Sequence, residues 1–420
     1  MIKSIHDVVK NDLCISCGAC CLADKNSKVT MYEDKEKGVF LPNLKVAEPG
    51  WTTGKALEIC PGKGYSIIES AKTLFPQAQN KSIELGRWIT ATVVRSLESE
   101  IVEKASSGGI MTSIAKYLIE QKVVDGVVVT GMDYSKNGPR PSSFIATSPD
   151  QLFEAQGSKY APVPIFDSEA DITNFNGNLA FIGTPCQIAA LRELQLKDKL
   201  IQNKIKLTIA NFCGGYRDLR ETDKLIQRAN IKKEDVNFLR YRGGGQPGSM
   251  VIKTMLGQVK ALKYPDYARM TGVIKYKRCR VCVDATGELA DISCGDAWIP
   301  KYLESGQSWS IALARSEYGQ SIIDKLHQQR LIEMHSVSEA EVIKSQSGNL
   351  ASKKVRQKAR LKLYKFFRMS TPRFDGGYHQ TDGGLLFELK VHISHSVFSF
   401  FEKIGIYKFI AKIIKRYPRV

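Results

Sequence analysis

Apolar residues at positions 110, 111, 114, 115, 118 and 119 recur three and four apart, so "SSGGIMTSIAKYLIEQK" predicts an amphipathic helix. The flanking stretches "ATVVRS" and "VVDGVVVT" are short and rich in β-branched residues, and predict a strand on either side of it. Together they make a strand–helix–strand unit. "LAFI" and "KLTIAN" predict two more buried strands, the first leading into a helix within "GTPCQIAALREL". Past residue 300 the pattern turns helical, whereas the first 80 residues show little periodicity and predict a loop-dominated head. The expected fold class is α/β in a mixed α+β arrangement: a head over 1–80, an α/β body over 81–350 and a basic helical tail over 351–420. A chain of 420 residues calls for such a division, because single cores rarely grow past roughly 250–300 residues.

The formal charge of +18 suggests a nucleic acid or membrane partner until its distribution is considered. Residues 351–420 hold sixteen Lys and Arg against four Asp and Glu, so +12 of the +18 lies in the last sixth of the chain. The body is only mildly basic, and nucleic acid is not expected as a partner. In the tail, Val397, Phe400, Phe401, Ile404, Tyr407, Ile410 and Ile414 recur at helical spacing among lysines, a basic amphipathic pattern suited to peripheral membrane contact. A helix docked on the protein's own body is the equal alternative. No apolar run approaches the about 18 residues of a membrane span, and "MIKSIHDVVKNDL" has no apolar signal core. The expected location is the cytoplasm, with peripheral contact at the inner face of the plasma membrane, where thiols stay reduced.

Reduced thiols change the reading of the ten cysteines, four of which crowd into "CISCGACC". Cys14, Cys17 and Cys20 form C-x2-C-x2-C, and Cys60 stands before Pro61. Two-residue gaps let a loop wrap a cubane cluster, and a remote Cys-Pro closes the fourth corner as in bacterial ferredoxins. Cys21 breaks that spacing and reads as a bystander. A structural zinc site is the alternative, commonly built from two C-x2-C pairs. Downstream, Cys186 falls just past "LAFI", Cys213 just past "KLTIAN", and Cys279 and Cys282 form a C-x2-C pair, with Cys294 nearby. Ligands of open α/β sheets gather at the carboxyl ends of strands, so these four thiols can form a second site. Taken singly, Cys186 and Cys213 also read as ordinary buried cysteines. All six histidines lie outside these motifs, which disfavours Cys/His zinc and a Cys–His nucleophile pair.

Ser106, Ser107, Gly108 and Gly109 open the first body helix, where free backbone N–H groups can cradle a phosphate or form a plain N-cap. Gly157, Ser158, Lys159 and Tyr160 set a cation and a ring beside a flexible turn, and "YRGGGQPGSM" is Gly-rich with one Arg. There is no Walker A motif, no G-x-G-x-x-G after a strand and no internal repeat. No catalytic acid or base stands out; Asp296 and Lys159 are candidates by placement alone.

The ordered set C-x2-C-x2-C, "SSGG", "GSKY", "GTPCQIAALR", "FCGG", "YRGG..PG" and C-x2-C with "ELADIS.GD" resembles the beta subunit of coenzyme F420 hydrogenase and dehydrogenase over about residues 8–345. It looks like the branch of stand-alone bacterial proteins found beside polysaccharide-assembly genes. The resemblance implies a ferredoxin-like head with a 4Fe-4S cluster on Cys14, Cys17, Cys20 and Cys60. It implies an α/β body binding FAD through 106–109, 157–160 and Asp296. Cys186, Cys213, Cys279 and Cys282 would hold a second cluster, giving one or two in all, with Cys294 the weakest claimant. The function implied is an oxidoreductase. A ferredoxin-type donor feeds the clusters and FAD, and hydride passes to a small-molecule or glycan-precursor acceptor. Two other readings compete: a zinc-stabilised binding protein touching RNA through its tail, and a non-catalytic scaffold in glycan assembly.

Overall fold

The computed structural model describes residues 2–23, 28–135, 138–166, 171–264, 266–267, 275–381 and 383–403. A mixed sheet of eight strands organises the body. In chain order they are β1 (Thr90–Ser96), β2 (Gly126–Asp133), β3 (Arg140–Ala146), β4 (Leu179–Gly183), β5 (Ile205–Asn211), β6 (Ile292–Asp296), β7 (Ser310–Ala314) and β8 (Ile332–Ser336). Across the sheet the order is β8-β1-β7-β6-β5-β4-β2-β3. The run β6-β5-β4-β2 is parallel, and the remaining pairings are antiparallel. Parallel strands are covered on both faces, which is why "LAFI" and "KLTIAN" read as near-continuous apolar runs.

The mixed α/β architecture is the one expected, with one difference in topology. The strand–helix–strand unit forms as β1, α1 (Ile110–Glu120) and β2, yet β7, β6, β5 and β4 stand between its two strands. Periodicity is a local signal, whereas β1 takes its partners from β7 and β8, more than 200 residues downstream. On one face of the sheet, Ile114 and Leu118 of α1 pack with Val127, Val129, Ile209 and Ile292. On the other, Ile188 and Leu191 of α3 (Pro185–Lys197, with α2 being Pro149–Ala155) pack with Val128 and Phe181. Ile15, Ile59 and Ile67 of the head join that second core, so head and body share buried apolar surface.

The head consists of short helices, a hairpin (Met31–Asp34 with Val39–Pro42) and the cysteine loop. Polar contacts fix it on the body. The Phe166 N–H donates to the Cys17 carbonyl at 2.9 Å. Arg140 bridges Glu33 of the hairpin (3.1 Å) and Asp223 (2.9 Å).

The segment set apart by its charge as a tail is, up to residue 381, woven into the fold. Lys354 is buried in an ion pair with Glu288 and donates to the Gly377 carbonyl at 2.8 Å. Gln357, opening the helix Gln357–Phe366, donates to the Val281 carbonyl at 2.9 Å. Arg373–Phe374 then pairs in parallel with Gly64–Tyr65 of the head. The Asp375 carboxylate accepts from the N–H groups of Ile67 (2.7 Å), Ile68 (3.0 Å) and Glu69 (3.0 Å), capping the head helix Ile68–Leu74. A net-charge count cannot see this, because it sums side chains whichever way they point. Of the amphipathic stretch, Val397 is exposed on the helix Leu385–Lys403. The side chains of Phe400 and Phe401, and all of Ile404, Tyr407, Ile410 and Ile414, lie outside the described residues. Among the described residues no helix is long and apolar enough to cross a membrane.

Candidate functional site

A cavity of about 330 Å³ lies at the carboxyl ends of the parallel strands, the position at which open α/β sheets place ligands. Its wall includes Cys186, Cys213, Cys279 and Cys282. It also includes Ser106, Ser107, Gly109, Gly157, Ser158, Lys159, Tyr160 and Asp296. The fold therefore brings together thiols from three distant segments and both Ser/Gly stretches. Gly108 is the one cofactor-contact candidate that is not on this wall.

Local sequence explains how the thiols arrive. At the end of β4, Gln187 reaches back to accept from the Thr184 N–H at 2.8 Å, and Pro185 opens α3, which fixes Cys186 in its first turn. Cys213 follows β5, its N–H donating to the Ala285 carbonyl at 2.9 Å. Gly215 behind it has φ +106°, and a Cβ there would stand 2.9 Å from the Cys279 Cβ, so the "CGG" turn leaves no room for a side chain. Burial pushes the thiols of Cys186 and Cys279 up to about 12, with Cys213 and Cys282 adding to it in both. Cys282 differs. Burial raises it too, but Lys353 and Arg278 outweigh burial and leave it below the usual thiol value. The Lys353 Nζ is 3.6 Å from the Cys282 Sγ and donates to the Asp284 carbonyl at 2.7 Å. Cys294, inside β6, also lines the cavity; it packs in the core with Val94 and Ile209, and burial alone pushes it up to about 12.

The head thiols form the other group. Cys14, Cys17 and Cys20 are buried and Cys60 half-buried. The Cys14 Sγ accepts from the Ser16 N–H at 3.4 Å. Gly62 is forced by packing, since a Cβ there would meet Val8 Cγ1 at 2.5 Å, the Leu13 carbonyl at 2.8 Å and the Cys60 Sγ at 3.2 Å. Burial raises Cys14, Cys17 and Cys60, and Cys60 in turn acts on Cys14 and Cys17. Cys20 is raised first by its hydrogen bond with Cys21 and then by burial. Cys17 belongs to the apolar cluster against which Cys186 packs, so the two groups meet the same core. Arg278 belongs to both neighbourhoods: it lines the cavity and its Nη2 donates to the Pro61 carbonyl at 2.7 Å, next to Cys60. Among the described residues, no three His, Cys, Asp or Glu side chains converge closely enough to hold a single metal ion.

The two Ser/Gly stretches, separate in sequence, are stitched together. The Ser106 Oγ donates to the Arg242 carbonyl at 2.9 Å and accepts from the Ser158 N–H at 3.2 Å. The Ser107 hydroxyl and the Gly108 N–H both meet the Ser310 Oγ at 2.9 Å. A Cβ on Gly108 would fall 2.4 Å from the Val94 carbonyl and 2.7 Å from the Ser310 nitrogen, so that glycine serves the passage of β1 and β7. Gly157 is the open one, with φ +94° and nothing nearer than 3.7 Å to its Cβ position. Lys159 turns back onto the carbonyls of Ala155 and Gln156 at the end of α2, and burial lowers it to about 7.

Asp296 pairs with Arg242 at 2.6 Å. Arg242 is only 6% exposed and donates from its other nitrogens to the carbonyls of Pro247 (2.8 Å) and Ser106 (2.6 Å). Sequence reasoning passed over Arg242 and Lys353 as site residues. The first was visible as the lone charge in "YRGGGQPG", and the second was hidden inside a charge run.

Two family models match in tandem. The one described as coenzyme F420 hydrogenase/dehydrogenase, beta subunit N-term, covers residues 91–168, and its C-terminus counterpart covers residues 176–340, together more than half of the chain. The chain belongs to the coenzyme F420 hydrogenase/dehydrogenase beta-subunit family. Membership makes its general function oxidoreduction and electron transfer. The coenzyme F420 hydrogenase subunit beta of Methanococcus voltae is 28% identical over 60% of this chain and 86% of its own length. The coenzyme F420 hydrogenase subunit beta of Methanosarcina barkeri is 26% identical over 61% of this chain and 84% of its own. Among solved structures, a chain of the F420-reducing [NiFe] hydrogenase complex from Methanosarcina barkeri shares the fold, with TM-score 0.55 and 23% identity over 70% of this chain and 99% of that one. The expected placement in a bacterial branch tied to polysaccharide assembly is corrected by these findings, since the relatives found are archaeal, hydrogenase and dehydrogenase subunits among them. The motifs that carried the family carry no information on the neighbourhood of a gene. The head cysteines up to Cys60 lie outside both family matches.

Proposed function

We propose that the chain is an iron–sulfur flavoprotein oxidoreductase. In this reading one 4Fe-4S cluster is held by Cys14, Cys17, Cys20 and Cys60, a second by Cys186, Cys213, Cys279 and Cys282, and FAD occupies the cavity beside the second. The observation that carries the reading is the convergence of those four distant thiols and both Ser/Gly stretches on one cavity, with Cys17 of the head and Cys186 packed on the same apolar cluster. The donor sets fit the groups: two all-thiol quartets without histidine suit iron–sulfur clusters, and the open Gly157 leaves space for a ligand to approach backbone. When bound, the clusters supply one-electron steps and the flavin the two-electron step.

The chain's own residues position and neutralise. Arg242, held by Asp296, grips the Ser106 carbonyl and so orients the 106–109 stretch. Lys353 and Arg278 offset the negative charge of a thiolate quartet. A ferredoxin-type protein is the proposed donor at the head, and the names of the relatives make coenzyme F420 the first acceptor to test. An anaerobic visible spectrum with iron, sulfide and flavin analysis tests the reading. Brown protein that bleaches on reduction, with about eight irons and one FAD per chain, is expected; colourless protein carrying zinc would refute it.

A further inference from the structure

We infer that a second cavity, of about 200 Å³ and sharing Gly214, Cys279 and Lys353 with the first, binds a small oxyanion such as a phosphate or carboxylate group. Its wall carries Lys275, Arg280, Lys353, Arg356 and Arg360, against Glu388 as the one carboxylate among the described residues. Buried charges are ordinarily paired, so each of these cations has to be accounted for.

Lys353 lies beside the Cys282 Sγ, and the Lys275 Nζ donates to the Gly214 carbonyl at 3.0 Å, next to Cys213. Both are answered by the negative charge of the second thiolate quartet, and for this step alone the inference rests on the function proposed above. Arg360 takes Glu388 in a two-pronged ion pair, Nε to Oε2 at 2.8 Å and Nη2 to Oε1 at 2.7 Å. Glu388 is thereby occupied. The Arg356 Nε forms a looser ion pair with the same carboxylate, 3.4 Å from the Glu388 Oε1 and without a hydrogen bond.

One carboxylate therefore faces three guanidinium groups. The Arg280 Nη2 and the Arg356 Nε are both buried without a hydrogen-bond partner among the described residues. Aromatic rings hold both in place: Arg280 stands over Tyr364 at 5.6 Å and Arg356 over Phe387 at 4.4 Å. Guanidinium groups in excess of carboxylate, with donors left without hydrogen bonds, on the wall of one cavity the size of a small anion are the arrangement that selects a phosphate or carboxylate. The volume suits a free anion or the anionic end of a metabolite.

Calorimetric titration of the anaerobically purified holoprotein with inorganic phosphate, and separately with acetate, at constant ionic strength tests the site. Saturable binding of either at one site per chain is expected. Arg280→Gln and Arg356→Gln should each weaken it about ten-fold or more, with Arg356→Lys recovering part of the loss. Arg356→Gln carries the test where Arg280→Gln, next to Cys279, disturbs iron content. No saturable binding of either anion, or equal affinity in the wild type and in Arg356→Gln, overturns the inference. Anion binding by a preparation that contains no iron would instead overturn the cluster reading and leave the anion site standing.

Discussion

The two cysteine groups are both all-thiol, share Arg278 between them, and differ in what else packs around them. Around Cys14 the shell is apolar, with Val8, Leu13, Val39, Leu41 and Val281, and around Cys20 it is Ile5, Val29, Trp51 and Ala56. Around Cys282 and Cys279 it is cationic, with Lys353 at 3.6 Å from a sulfur and Lys275 and Arg278 close by. A cluster gains negative charge when reduced. Cations favour that form and an apolar shell penalises it, so the second quartet should hold its electron at the higher potential. On the proposed reading, a gradient running from head to cavity would follow from side chains that are not ligands.

Removing one ligand from each group gives the largest contrast. Cys17→Ala and Cys279→Ala should each lower iron by about half while the other quartet keeps its EPR signal. Unchanged iron in Cys279→Ala would end the comparison, because the second group would then be no cluster. The next effect is on potential. Lys353→Met should shift the second cluster by about 60 mV or more to the negative side, a tenfold change for one electron, and leave the head cluster unmoved. A redox titration followed by EPR reads both at once.

A finer contrast uses the glycine pressed against each group. Gly62→Ala meets Val8, Leu13 and Cys60, and Gly215→Ala meets Cys279 at a positive φ. Each should cost about 1–3 kcal/mol in denaturant melts, with iron lost from its own quartet first. The smallest effect is a pH dependence found only on the cationic side. Burial lowers His395, and Arg280, His392, Arg217 and Arg360 lower it further, to about 4. A histidine with a folded pKa below its unfolded 6.5 makes stability fall as pH drops from about 6.5 towards 4, where the unfolded chain binds the extra proton. Melts of His395→Gln should lack that part of the slope.

What the sequence made legible was whatever is local. The C-x2-C-x2-C spacing, the strands before Cys186 and Cys213 and the helix opened by "TPCQ" all depend on neighbours a few residues away. What it hid depends on distance or direction. Lys353 lies 71 residues from the sulfur it faces, in a stretch whose charges look solvated until the fold turns them inward. The β1 partners come from the far end of the body, and Gly108 reads as a phosphate cradle until the crossing of β1 and β7 accounts for it.

The strap that Arg373–Phe374 and Asp375 lay across the head has a consequence in time. Ser66 and Asp375 touch across 309 residues of chain. At about 5–20 residues per second of synthesis, the head waits about 15–60 s between its own emergence and the arrival of the segment that closes it. The head is therefore made well before the strap that closes over Gly64–Glu69, and the pace of synthesis sets how long that side of the head stays uncovered.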